Sequence, residues 1–125
     1  MFPGPTAQGY ERRSMVENLF PDPIRNLPEA DIPIDGINAY LSQAADHQLI
    51  FMQFTKDADL PEHSHAAQVG FVLRGKIEII IDGIKNEYGK GDIYFIPENE
   101  KHSGRIYAGY ADITFFNESD RYKKK

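Results

Sequence analysis

The chain has no cysteine and no tryptophan among its 125 residues. Without cysteine there is no disulfide framework and no thiolate metal site, so any bound metal has to be held by nitrogen and oxygen ligands. No run of about 18 apolar residues occurs, which argues against a transmembrane helix and a membrane partner. The first ten residues, MFPGPTAQGY, lack the basic-then-apolar layout of a secretion signal. A cytoplasmic location is the simplest expectation. Positive charge is scarce, with 14 Lys and Arg against 19 Asp and Glu and a net charge of −5. That balance argues against nucleic acid as a partner. The one basic cluster, Lys123–Lys125, reads as a solvated tail.

What remains is the composition of a folded domain, 41% hydrophobic and 12% aromatic, at a length suited to one core. Prolines concentrate in residues 1–35, which read as an N-terminal arm. Within it, Ser14 and Glu17 form a capping box that predicts a short helix through Phe20, ended by Pro21 and Pro23. The patch of Met15, Val16, Leu19 and Phe20 would pack on the domain or on a second subunit, and NLPEADIPIDG would lead in as extended chain.

From residue 36 to 118 short β segments repeat, followed by a basic tail over 119–125. The predicted strands are 37–41, 48–55, 68–74, 76–81, 84–88, 93–96, 102–107 and 111–116. Turn chemistry separates them: Arg74-Gly75-Lys76, Asp82-Gly83, Gly89-Lys90-Gly91 and Pro97-Glu98-Asn99. Asp-Gly between two isoleucines is a two-residue hairpin signal. With no strong helix between strands, the expectation is an all-β antiparallel sandwich or barrel.

Three of the four histidines carry the functional signal. On an extended chain His63 and His65 would face one side, two residues apart. Gln68 opens the next strand, and His102 opens another after a turn. Three imidazoles and one amide oxygen could converge on a divalent ion and leave positions open to water or a small ligand. The bland alternative is a set of surface histidines at strand ends.

At this point the chain resembles the cupins. Their first motif has the form G-x5-H-x-H-x3,4-E-x6-G, met here by His63-Ser64-His65, Gln68 and Gly75. Their second, G-x5-P-x-G-x2-H-x3-N, is met by Gly91, Pro97, Asn99 and His102. The resemblance runs from about Gln48 to Phe116. Gln68 stands in place of a glutamate, Asn99 in place of a turn glycine and Ile106 in place of the final asparagine. The glycine that leads the first motif is absent. The resemblance implies a cupin double-stranded β-helix, or jelly-roll barrel. It also implies a homodimer and a divalent metal (zinc, nickel, iron or manganese) on His63, His65, Gln68 and His102.

A glutamine ligand leaves the charge of the ion uncancelled, which favours anionic ligands and proton-transfer chemistry. The His/His/Gln/His set further resembles the pectin-degradation cupins, which open unsaturated uronates with a catalytic aspartate on the last strand. Asp112 is the candidate here, either an inward general acid/base or a solvated strand residue. The expected function is isomerase- or lyase-type chemistry on a small anionic, sugar-acid-like metabolite. An iron dioxygenase and a non-catalytic small-molecule binder are the alternatives. Arg74 shares the parity of Gln68 and is either an anion contact or a surface residue. Gln53, Tyr94 and Tyr110 are candidates for the pocket wall, and Phe51, Phe95 and Ile96 for core or wall. His47 is expected to be exposed, and Tyr107–Tyr110 reads as rim or turn.

Overall fold

Alternating apolar residues from Ile37 onward lock the chain into strands whose inward side chains share one interior. The computed structural model describes residues 18–125. Among the described residues a single helical turn, α1 (Asp22–Arg25), precedes nine strands. These are β1 (Ile37–Gln43), β2 (Gln48–Phe54), β3 (Ala58–His63), β4 (Gln68–Arg74), β5 (Lys76–Ile81), β6 (Ile84–Gly89), β7 (Ile93–Ile96), β8 (His102–Ile106) and β9 (Ala111–Phe116). They form two antiparallel sheets, ordered β1-β2-β9-β4-β7 and β3-β8-β5-β6, wrapped as a jelly-roll barrel. The all-β expectation holds.

The predicted helix over 14–20 falls mostly outside the described residues. Pro21 and Pro23 were expected to end it. Pro21 caps the start of α1 and Pro23 sits in its first turn, where a missing N–H costs nothing. Asp82 and Gly83 take φ values of 52° and 75°, the left-handed pair that a two-residue hairpin demands. β3 is an additional strand. With Pro61 and three acidic or basic side chains it shows little alternation, yet it pairs with β8 at the sheet edge, where proline is tolerated.

The core lies between the sheets. Ile50, Met52 and Phe54 of β2, Val72 of β4, Ile96 of β7 and Phe116 of β9 meet Ile77 and Ile79 of β5 and Ile106 of β8. Each fully buried side chain of this size contributes about 1.5–3 kcal/mol. Phe95 is not core: the pleat turns it outward, and it is 60% exposed. Phe51 also faces outward, against Phe20. Arg74 is not at the pocket either, because its Nε donates to the Gly109 carbonyl at 2.8 Å. Tyr107–Tyr110 is a turn, closed by the Tyr110 amide on the Tyr107 carbonyl, with Gly109 at φ 93°.

Residues 29–31 and the C-terminal segment are fastened to each other and to the barrel. The Ala30 amide donates to Ala39 of β1, and the Asp31 amide to Lys123. The Lys125 amide donates to Glu29. The side chains of Lys123–Lys125 stay exposed while their backbone pairs with the arm. Buried Gln48 grips the Tyr122 peptide from both sides: its Nε2 donates to the carbonyl at 2.8 Å, and its Oε1 accepts from the amide at 3.1 Å. No helix among the described residues is long and apolar enough to cross a membrane.

Candidate metal centre

Three elements bring the histidines together at one end of the barrel. His63 ends β3 and His102 starts β8, and the two are direct partners in that ladder. His65 follows in the crossover from β3 to β4, not on a strand. The expectation that His63 and His65 converge through strand parity is therefore replaced by a strand end and a loop. That loop is pinned by three hydrogen bonds. The Asn99 amide donates to the His65 carbonyl at 2.9 Å, the Asn117 amide to Ala67 at 2.9 Å, and the Ala66 amide to Glu118 Oε2 at 3.1 Å. Asn99 sits at φ 62°, which asparagine adopts more readily than most residues.

The ring centroids of His63 and His102 are 4.2 Å apart, and His65 lies 4.9 Å from His102 and 5.1 Å from His63. One ring nitrogen from each falls within 4.8 Å of the others. The tautomers follow from the backbone. The Nδ1 of His63 faces the Pro61 carbonyl at 2.7 Å, that of His65 faces Ala66 at 2.7 Å, and that of His102 faces Glu100 at 2.9 Å. A carbonyl only accepts, so each Nδ1 carries the proton and each Nε2 keeps a lone pair. This is how carbonyl partners orient metal-binding imidazoles. His65 Nε2 is buried without a partner. Burial holds His65 down to about 4 and also lowers His102, so both are neutral at physiological pH. A buried, unpartnered lone pair among neutral imidazoles fits a divalent cation.

Gln68 lines the same cavity, and its Nε2 donates to Tyr94 Oη at 3.0 Å. The cavity is about 520 Å³, large enough for a small metabolite. Isoleucines of both sheets, Met52, Phe54 and Phe116 form its apolar walls, and Asp112, Tyr94 and His102 are buried polar residues in its lining. Asp112 faces inward and is 1% exposed. Its Oδ2 accepts from Tyr110 Oη at 2.5 Å and its Oδ1 from Thr114 Oγ1 at 3.0 Å. Burial pushes its carboxyl up to about 7, against the pull of the hydroxyls of Tyr110, Thr114 and Tyr94, which favour the ionised form.

Of the other candidates, Tyr94 does line the cavity, and Tyr110 backs it through Asp112. Gln53 faces away: its Oε1 accepts the Leu19 amide at 2.6 Å. His47, partly exposed, stacks on Phe115 on the outer face. Arg121 was missed by the sequence reading. The folded-back C-terminal segment carries it to the cavity, with its guanidinium 4.4 Å from the Tyr122 ring and 5.7 Å from that of Phe116. Its Nε is buried without a partner. It lies close enough to His65 and His102 to disfavour their protonation.

A cupin-domain family model matches residues 50–108, from β2 through the second histidine motif. Solved structures agree in fold. A cupin of the RmlC-like type from Shewanella frigidimarina superposes with a TM-score of 0.67 at 20% identity, covering 84% of this chain and 95% of that one. KdgF from a Halomonas species gives 0.61 at 21% identity, over 74% and 88%. A mutant oxalate decarboxylase from Bacillus subtilis gives 0.64 at 15% identity, over 81% of this chain and 31% of its own. No curated protein matches the chain in sequence. Residues 50–108 thus make up a cupin domain, and the barrel has the cupin fold.

Proposed function

We propose that the cavity is the active site of a metal-dependent enzyme acting on a small, carboxylate-bearing metabolite. In this reading His63, His65, Gln68 and His102 hold a divalent ion, and Asp112 is the general acid/base. The observation that carries it is the set of three imidazoles whose Nδ1 protons are all committed to backbone carbonyls, one of them with a buried, unpartnered Nε2. A bound dication supplies a Lewis acid that polarises an oxygen of the ligand, and four neutral ligands leave its charge uncancelled.

The chain's own residues would do the rest. Arg121 offers an unpaired N–H beside the histidines, a partner for a carboxylate. The apolar walls exclude water. Asp112, whose proton affinity is near neutrality, would take a proton from one atom of the ligand and return it to a neighbouring one. Tyr110 and Thr114 would hold the carboxyl in place through the exchange. This proton shift is an isomerisation without net redox change, the chemistry implied by the resemblance to the uronate-opening cupins.

We further place the protein in the cytoplasm as a homodimer. Phe71, Ile93 and Phe95 support the dimer, as large apolar side chains exposed together on the outside of β4 and β7.

Elemental mass spectrometry of untagged protein tests the metal reading. About one equivalent of a divalent metal is expected in the wild type and almost none in His65→Ala. Absence of metal from the wild type after anaerobic reconstitution would sink it. Iron as the resident metal would redirect the chemistry to oxygen.

A further inference from the structure

We propose that the ligand of this cavity is an amphipathic acid, whose carboxylate lies at the histidine end on a hydrocarbon body that fills the barrel beyond, rather than a hydroxylated sugar acid. The proposal rests on the carboxylate reading above and narrows it.

The strand registers give the cavity its length. His102 opens β8 and Ile106 closes it, four residues on, which is about 13 Å along an extended chain. Ile106 pairs with Ile77 of β5. On the facing sheet Gln68 pairs with Phe116. Asp112, four residues earlier on β9, pairs with Met52 of β2. The lining therefore runs from the histidines and Gln68 at one end to Ile77, Ile106 and Met52 at the other.

The chemistry changes along that length. The histidine end has the buried, unpartnered Nε of Arg121, with Ser64 and Asp120 exposed at the rim. Deeper in, the walls are Ile77, Ile79, Ile106, Met52 and Phe54, all buried. Polar groups among them are already engaged: Asp112 accepts from Tyr110 and Thr114, and Tyr94 accepts from Gln68. A sugar acid carries a hydroxyl on most of its carbons. Each hydroxyl would leave water for a wall that neither donates nor accepts, and a buried hydrogen bond left unmade outweighs the gain from burying its carbon. A hydrocarbon chain meets the same wall at a gain of about fourfold in affinity per methylene. The acid group stays at the end where Arg121 and the histidines stand, so the tail points inward.

The experiment measures, by calorimetry on the untagged protein as purified, the affinity for straight-chain 2-oxo acids from pyruvate to 2-oxooctanoate, with galacturonate beside them. Affinity should rise about fourfold per methylene until the cavity is filled. 2-Oxooctanoate should bind at least about tenfold more tightly than galacturonate, which has the acid anchor alone. Ile79→Asn puts an amide into the deep wall. It should flatten the rise and leave pyruvate within about twofold, because pyruvate reaches only the anchor. Ile79→Thr is the milder variant if the asparagine does not fold, and the wild-type series is a test without either. A flat series, galacturonate binding more tightly than 2-oxooctanoate, or a rise that both Ile79 variants leave untouched overturns this inference and spares the carboxylate reading. If no acid in the panel binds, the carboxylate reading falls and this inference falls with it.

Discussion

Asp112 is placed under two opposing pressures, burial against three neighbouring hydroxyls, and burial wins. With its carboxyl raised to about 7 from the usual value near 4, the folded protein binds a proton there that the unfolded chain releases. Stability from this group is therefore full below about pH 4 and declines as pH rises toward 7. A rise of that size corresponds to about 4 kcal/mol at most. Asp112→Asn mimics the protonated acid at every pH. Metal-free wild type and Asp112→Asn should have similar urea midpoints near pH 4, and the variant should gain steadily up to about pH 7 and level off above it. His65 and His102 tilt stability the other way, since their depressed values favour the neutral rings as pH rises, but they cancel in the difference between the two proteins. A variant that is less stable at every pH would refute the raised carboxyl. The grouping of the three histidines, and Gln68 beside them, was legible from the cupin motifs rather than from spacing alone, and the strand parity expected to bring His63 and His65 together did not do so. Which face Asp112 would take was left open by strand parity. Arg121 was hidden because NESDRYKKK has no periodicity and reads as solvent-facing charge.

At the scale of elements, the C-terminal segment is the least expected part of the site. Its path depends on Gln48, a fully buried amide at the start of β2 that bonds the Tyr122 peptide on both sides. Gln48→Ala leaves that buried peptide without partners, a cost of about 1–3 kcal/mol. Because the peptide next to Arg121 is released as well, binding of a carboxylate probe such as galacturonate should weaken together with stability. Arg121→Ala should weaken the same binding with little change in stability. If Gln48→Ala lowers the unfolding midpoint and leaves galacturonate affinity intact, the segment is a strap only. The segment escaped the sequence reading because its partners lie about 75 to 95 residues away, beyond any local pattern. β3 escaped it for a different reason: an edge strand with Pro61, Asp59 and Glu62 has no apolar face to display. The strands with clean alternation and the Asp82-Gly83 hairpin were read within a residue or two of their ends.

For the whole molecule, the five-stranded sheet carries apolar side chains on both faces, which a single barrel does not need. The inner face closes on the cavity. On the outer face Phe20 of the arm covers Tyr40 and Phe51 edge-on, at centroid distances of 6.3 and 5.8 Å. Toward the far side of that face Phe71, Ile93 and Phe95 remain 40%, 62% and 60% exposed. They lie in adjacent rungs, since Phe71 pairs with Ile93 and Val69 with Phe95. β7 is also the edge of its sheet, with one side of its backbone unpaired by the other strands. Exposed apolar side chains beside an open edge are what a second copy of the chain would cover. Light scattering on a sizing column should therefore report twice the 14.2 kDa chain mass at tens of micromolar. Ile93→Lys with Phe95→Lys should shift it to the monomer. Because Tyr94, between them, points the opposite way into the cavity, Ni²⁺ affinity should stay within a few-fold of the wild type. A wild type that runs as a monomer would leave this face to some other partner. A monomeric double variant that had lost its metal would mean that the centre needs the second subunit, although every residue assigned to it comes from one chain.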